Sequence, residues 1–290
     1  MIGNSNDDFT LSVKDVTKRF GRGKQQFTAV NKISLEATTD SAIGVIGESG
    51  SGKSTLARMI VGFEKPTEGT ITINGLPLEQ WMANPTDLLE YRRIVQYVAQ
   101  DTSSSFDPKK KMGESIAAPI RKLLKIHDKD EIVQRTETIV SELGLDVALC
   151  SRYPRQLSGG QRQRFALARS LVVSPKLLIC DEVVSALDVS VQGAVLNLIK
   201  KESAKRGIGL VFISHGLPAT AFISSDLMVM KQGDVVEAGS VQEVIEHPRH
   251  EYTRALLHAY SYGQSSSEQV LSEQSQGSNP SSKELGNELV

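Results

Sequence analysis

The sequence predicts an α/β fold built on a mostly parallel sheet, and three observations predict it. An apolar run, SAIGVIG at Ser41 to Gly47, leads into a glycine-rich turn and then the helical STLARMIVGF at Ser54 to Phe63. Two more apolar runs, KLLICDE at Lys176 to Glu182 and GLVFISH at Gly209 to His215, flank the amphipathic VSVQGAVLNLIKKESAKR. Strands read as continuous apolar runs when both of their faces are covered, and alternation with helices is the pattern of a parallel sheet. The chain has 290 residues, 39% of them hydrophobic, which allows one large domain or two small ones.

The other elements follow in order. FTLSVKDV (Phe9 to Val16) and KISLEATT (Lys32 to Thr39) alternate as half-buried strands do, and GTITING (Gly69 to Gly75) reads as a strand ending in a turn. Helical patterns dominate residues 85–173 and mark an inserted helical subdomain. In DEIVQRTETIVSELGL, Ile132, Val133, Ile139, Val140 and Leu143 fall on one helical face. Pro119 is expected to kink or to start the preceding helix. DLMVMKQGDVVEAG reads as a hairpin turning at Gln232-Gly233-Asp234. VQEVIEH and HEYTRALLHAY read as short terminal helices. Residues 1–263 form the expected domain, and the Ser/Gln/Glu-rich residues 264–290 are expected to be disordered.

Net charge is −1, so no global basic field points to nucleic acid. The N-terminus lacks a basic start and an apolar core, so no signal peptide is expected, and no apolar run is long enough to span a bilayer. The two cysteines, Cys150 and Cys180, make no disulfide framework and fit a reducing compartment; Cys180 is expected in the core.

GESGSGKST, Gly47 to Thr55, fits G-x-x-x-x-G-K-[ST] between a strand and a helix. Gly47, Glu48, Ser49, Gly50, Ser51 and Gly52 supply backbone N–H groups that curl around phosphate oxygens at a helix N-terminus. Lys53 reaches the β- and γ-phosphates, the Ser54 hydroxyl binds Mg²⁺, and Thr55 extends the hydroxyl edge. The chain is therefore expected to take the fold of the P-loop NTPases. A dinucleotide frame starting at Gly50 fails because Thr55 stands where the third glycine belongs. No N-K-x-D motif for guanine is present, since Asn31-Lys32 continues as Ile-Ser. In LLICDE, Asp181 and Glu182 sit at the end of a strand where such sheets bind ligands. Asp181 is placed to hold Mg²⁺, and Glu182 to orient or deprotonate the attacking water. A strand simply ending in two solvated acids would read the same without the phosphate loop.

A second glycine pair stands in LSGGQ: Leu157, Ser158, Gly159, Gly160 and Gln161. Ser158 fits a helix N-cap, and the N–H groups beyond it make another anion site. Taken with the phosphate loop and the acidic pair, LSGGQ makes the chain, over about Phe9 to Tyr262, resemble the nucleotide-binding subunits of ABC transporters. The resemblance implies that LSGGQ grips the γ-phosphate of ATP held by a partner's loop, so that two subunits, alike or different, close over two ATPs. It implies an N-terminal antiparallel β subdomain beside the parallel core. It makes Gln100 the residue linking Mg²⁺ to the helical insertion, Asp188 of SALD an interface aspartate, His215 a γ-phosphate switch, and Phe20 the ring stacked on adenine. Phe27 is a weaker candidate for that ring.

GESGSGKSTLAR, FDPKKKMGE, SALDVSVQ and HPRHEYTRALL resemble the oligopeptide, dipeptide and nickel importer group. That group implies ATP-driven import through separate permease subunits, with an indirect link to an extracytoplasmic binding protein, at the cytoplasmic face of the cell membrane. The alternative is the same ATPase in a soluble enzyme or assembly complex, such as phosphonate processing. Val183 stands where the family usually has Pro, and Gly216 where Asp is common. The tail has no cysteine, so no cysteine-bound cluster is expected there. Lys109 to Lys111 read as a solvated loop.

Overall fold

The computed structural model describes residues 9–101, 105–185 and 187–260. The tail expected from 264 onward lies outside them. The first strands, β1 (Thr10–Phe20) and β2 (Phe27–Thr38), run longer than the alternating stretches alone indicate. Their register slips between Val13 and Val16 and again near Lys18, with Asp15 at φ 50°. Such bulges break the two-residue period, which is why VTKRF and FTAVN do not alternate cleanly.

The chain then enters β3 (Ala42–Ile46), α1 (Lys53–Ile60), β4 (Glu68–Ile73), β5 (Leu76–Pro77), α2 (Leu78–Met82) and α3 (Pro85–Ile94). Strands β1, β2, β4 and β5 form an antiparallel sheet in the order β2-β1-β4-β5. The next residues, Val95–Val98, form β6, so the stretch 85–173 is not all helix. Four residues are too few for periodicity to register beside the strong helical pattern of α3.

Helices α4 (Met112–Leu123), α5 (Lys129–Glu142) and α6 (Gly159–Leu171) follow. Asp128 caps α5 by accepting the Glu131 N–H at 2.8 Å. Pro119 lies in the interior of α4, so it does not start the helix. Ile132, Ile139, Val140 and Leu143 are buried as the pattern requires, but Val133 is 52% exposed. The apolar arc of α5 is wider than the surface it packs against.

After β7 (Leu177–Asp181), helix α7 (Val189–Arg206) ends at Gly207, which takes the left-handed conformation. Strand β8 (Gly209–Ser214), α8 (Leu217–Ile223), β9 (Asp226–Lys231), β10 (Asp234–Ser240) and α9 (Val241–Glu246) complete the labelled elements, and residues 251–260 are helical. The hairpin turns where expected: Gln232 and Gly233 both have positive φ, as a two-residue turn demands.

The second sheet has the order β10-β9-β3-β8-β7-β6, parallel except for β10 against β9. Every residue of β7 and β8 is buried. Alternate residues face different cores. Leu177 and Ile179 pack with Leu56 and Ile60 of α1, while Leu178 and Cys180 pack with Phe165 of α6 and Phe212. Both cysteines are free, and Cys180 is buried as expected. Phe212→Ala should lose about 3–5 kcal/mol of stability by opening a cavity in the centre of the sheet. A lower denaturant midpoint in equilibrium urea unfolding would show it.

Candidate nucleotide site

The phosphate loop leaves β3 at Gly47 and is clamped from behind. A Cβ on Gly47 would lie 2.1 Å from the Met230 carbonyl oxygen, and one on Gly52 would lie 2.2 Å from that of Ala29. Only glycine admits such an approach of backbone to backbone. The hairpin turn ties the loop down further: the Gly233 N–H donates to the Ser51 carbonyl at 3.0 Å, and Asn31 N–H donates to the Gly233 carbonyl at 2.9 Å.

Lys53 opens α1 and is buried, 4% exposed. Its ammonium donates to the carbonyls of Gly47 and Glu48, both at 2.8 Å, and to Ser51 Oγ at 3.3 Å. Burial pushes the Lys53 pKa down, against the pull of Glu182, Asp181 and Glu48. The loop backbone thus lends the cation a provisional set of acceptors. Ser49, Gly50, Gly52, Lys53, Ser54 and Thr55 line a cavity of about 340 Å³. Phe20, Phe27, Gln100 and Glu182 line it too. The two rings stack on one another, centroids 5.6 Å apart, so the aromatic wall includes both candidates.

The acidic pair meets this cavity from β7. Asp181 is 3% exposed. Its Oδ1 accepts the Ser54 hydroxyl at 3.0 Å and its Oδ2 the Tyr97 hydroxyl at 2.8 Å. Burial pushes the Asp181 carboxyl above the usual carboxylate range. The hydroxyls of Tyr97 and Ser54 oppose that rise, and the charge of Glu182 adds to it.

Glu182 leaves the strand at φ 51°, and its N–H donates to the Ile213 carbonyl at 2.8 Å. One carboxylate oxygen, Oε2, accepts Gln100 Nε2 at 2.7 Å and lies 3.6 Å from His215 Nδ1. Gln100, Glu182 and His215 therefore converge. Gln100 contacts Glu182 rather than joining Ser54 and Asp181. Val183 is buried, and Gly216 caps α8.

LSGGQ lies elsewhere. Leu157 is buried; Ser158 Oγ accepts the Gln161 N–H at 3.3 Å, and Gln161 Oε1 accepts the Ser158 N–H at 2.9 Å. This reciprocal cap opens α6 as the sequence indicates. A Cβ on Gly160 would lie 2.7 Å from Val191, so the glycine pair packs closely against α7. Asp188 is exposed at the N-cap of α7, without a side-chain capping bond. None of Leu157 to Gln161, nor Asp188, lines the cavity at the phosphate loop.

Two contacts at the site carry no signal in the sequence. Tyr97 was silent because a half-buried tyrosine in a short strand has no motif. Tyr252 accepts the Glu48 N–H at 3.1 Å across 204 residues, which no local pattern reveals.

The donor set suits a hard divalent cation shared with phosphates: one hydroxyl and one carboxylate oxygen, already paired. Among the described residues no group of three or more His, Cys, Asp or Glu converges to hold a metal by itself. Asp181 also sets a pH dependence. Its folded pKa is raised, so the stability it lends in the protonated form is complete below the unfolded value. That stability is lost as pH rises through the folded value. Above that, the ionised group is a standing cost. Without nucleotide, Asp181→Asn should melt higher at neutral pH by roughly 2–4 °C, about 1 kcal/mol. The gain should fade in mild acid, as scanning calorimetry at two pH values would show.

Comparison with known proteins agrees with this geometry. Residues 30–185 match the family model described as ABC transporter. The chain is 38% identical over 254 residues to the oligopeptide transport ATP-binding protein OppF of Escherichia coli, covering 86% of this chain and 74% of that one. It is 38% identical over 255 residues to the di/tripeptide transport ATP-binding protein DppF of Pseudomonas aeruginosa, covering 86% and 78%. Among solved structures, it resembles a dimeric ATP-binding cassette in a post-hydrolysis state bound to ADP and Pi. That match has a TM-score of 0.72 and 26% identity, and covers 80% of this chain and 98% of the other. The chain belongs to the ABC transporter family, as an ATPase subunit with the cassette fold.

Proposed function

We propose that this subunit hydrolyses ATP to power peptide import through a separate membrane permease. One observation carries the reading: a complete hydrolytic half-site and an LSGGQ helix lie on one chain at different places. The phosphate loop, Gln100 and Glu182 line the cavity, Asp181 joins them through Ser54 and His215 through Glu182, and Leu157 to Gln161 are absent from its lining. A second subunit, whether identical or similar, supplies the missing half. The relatives' names, oligopeptide and di/tripeptide transport, support the substrate class.

Lys53 exchanges the Gly47 and Glu48 carbonyls for the β- and γ-phosphates. Phe20, with Phe27 beside it, holds the adenine ring. Ser54, Asp181 and Gln100 would hold Mg²⁺, which would supply neutralisation of phosphate charge. Glu182 orients a water and takes its proton as the water oxygen bonds to the γ-phosphorus and ADP leaves. His215 steadies the γ-phosphate and Glu182. Gln100 gives up Glu182 Oε2 for this step, and because it precedes α4 in the chain its movement is passed to the helices α4 to α6. Asp188 crosses to the partner. Residues 1–263 make up this unit, and 264–290 lie beyond it.

A groove lined by Ala117, Arg121, Ile132, Val133 and Cys150, between α4 and α5, offers the permease an apolar surface. Among the described residues no helix is long and apolar enough to cross a membrane. The proposed contact with the permease would hold the chain peripherally at the cytoplasmic face of the membrane, a reading that the relatives' names as transport ATP-binding proteins support. The binding protein that selects the peptide connects only through the permease.

Glu182→Gln should bind ATP with parent affinity yet turn over at least about 100-fold more slowly. Size-exclusion chromatography should find it trapped as an ATP-bound dimer. Full turnover by that variant would sink the role of Glu182. Lys53→Ala should lose ATP binding in a fluorescent-nucleotide titration. Recovery of two polytopic subunits with the protein from detergent-solubilised membranes would establish the transporter; recovery with soluble enzymes alone would remove it.

A further inference from the structure

Strand β6 sends two side chains to two consecutive carboxylates. Gln100, just past its end, reaches Glu182, and Tyr97 within it reaches Asp181. The register explains the second contact. Tyr97 lies opposite Ile179 in the parallel pair β6–β7. Asp181 is two residues beyond Ile179 and so shares its face of the sheet. That is the face covered by α1, which carries Ser54. A tyrosine is long enough to meet the carboxylate diagonally; the strand neighbours of Tyr97, Gln96 and Val98, point to the other face.

We propose that Tyr97 is a positioning residue for the metal-side carboxylate. Its hydroxyl holds Asp181 Oδ2, which leaves Oδ1 aimed at Ser54, where the cation enters. The inference rests on the assignment of Asp181 to Mg²⁺. The phenol is itself fixed: its ring packs edge-on against Phe63, centroids 6.0 Å apart at 88°, and lies against the core beneath α1. Burial and the charge of Asp181 push the Tyr97 pKa well up, so the group remains a donor. Asp181 is 3% exposed, so each of its oxygens needs a partner, and Tyr97 engages the one that Ser54 does not. Removing a partner that orients a metal ligand in this way typically weakens metal affinity. Because Tyr97 and Gln100 share one strand end, movement there acts on Asp181 and Glu182 together.

The test uses the full chain, a fluorescent ATP analogue, and magnesium titrated from EDTA-buffered zero. Tyr97→Phe should bind the analogue in EDTA as the parent does. It should need about tenfold more magnesium for the half-maximal magnesium-dependent gain in binding. Tyr97→Met, which fills similar space without a hydroxyl, should behave alike and guards against a packing defect peculiar to one variant. In an Asp181→Asn background, Tyr97→Phe should add nothing. A parent-like magnesium titration in both single variants overturns the proposal. So does an equal loss of affinity with and without magnesium, which marks a purely structural role. Should Asp181→Asn itself keep the parent's magnesium response, the assignment of Asp181 fails first, and the role of Tyr97 falls with it.

Discussion

An ionised carboxylate at the end of a fully buried strand must be paid for by its neighbours, and Asp181 sets that demand here. It is 3% exposed, its pKa is driven up by burial, and Glu182 follows it directly in the chain. The surrounding structure answers with two hydroxyl donors from two elements, Ser54 on α1 and Tyr97 on β6. Those two bonds link the helix behind the phosphate loop and the strand leading to Gln100 to the end of β7. The site therefore depends on a local electrostatic deficit that neither a cavity nor a hydrophobic contact could create.

Lys53 is the complementary charge. In this structure it is folded onto the carbonyls of its own loop, where burial weakens its hold on its proton. Carbonyl oxygens are poor substitutes for phosphate, so a polyphosphate entering the cavity improves the lysine's pairing and fills the loop's outward N–H groups at once. Gln100 on Glu182 has the same character: a side chain satisfied by an arrangement that the proposed hydrolysis would undo. Both contacts keep charged or polar groups paired while the site waits.

The hairpin contacts this centre directly, and the LSGGQ helix does not. The turn at Gln232-Gly233 straps the phosphate loop through Ser51, and Tyr252 from residues 251–260 holds Glu48. These contacts make the loop a rigid receiver. LSGGQ belongs to the insertion instead, with its glycine pair pressed on α7 by Val191. On the proposed reading, the LSGGQ cap at one place and the phosphate loop at another complement each other only between two chains, which gives a physical basis for an ATPase that works as a pair.

The sequence by itself determined the motifs and their local geometry. Contiguous residues decide a glycine-rich turn between strand and helix, a Ser158–Gln161 capping box, and a hairpin at two positive-φ residues. The apolar runs of β7 and β8 were legible for the same reason: they are buried on both faces, so no alternation is needed to see them. Only the tertiary structure decided that Val95–Val98 is a strand of the sheet, because four residues acquire that identity from pairing with β7. It alone placed Gln100 on Glu182, brought Tyr97 to Asp181, set Tyr252 on a loop 204 residues away, and left Val133 outside the core. All but the exposure of Val133 are contacts between residues far apart in the chain, and a sequence records spacing along the backbone while packing fixes distance across it.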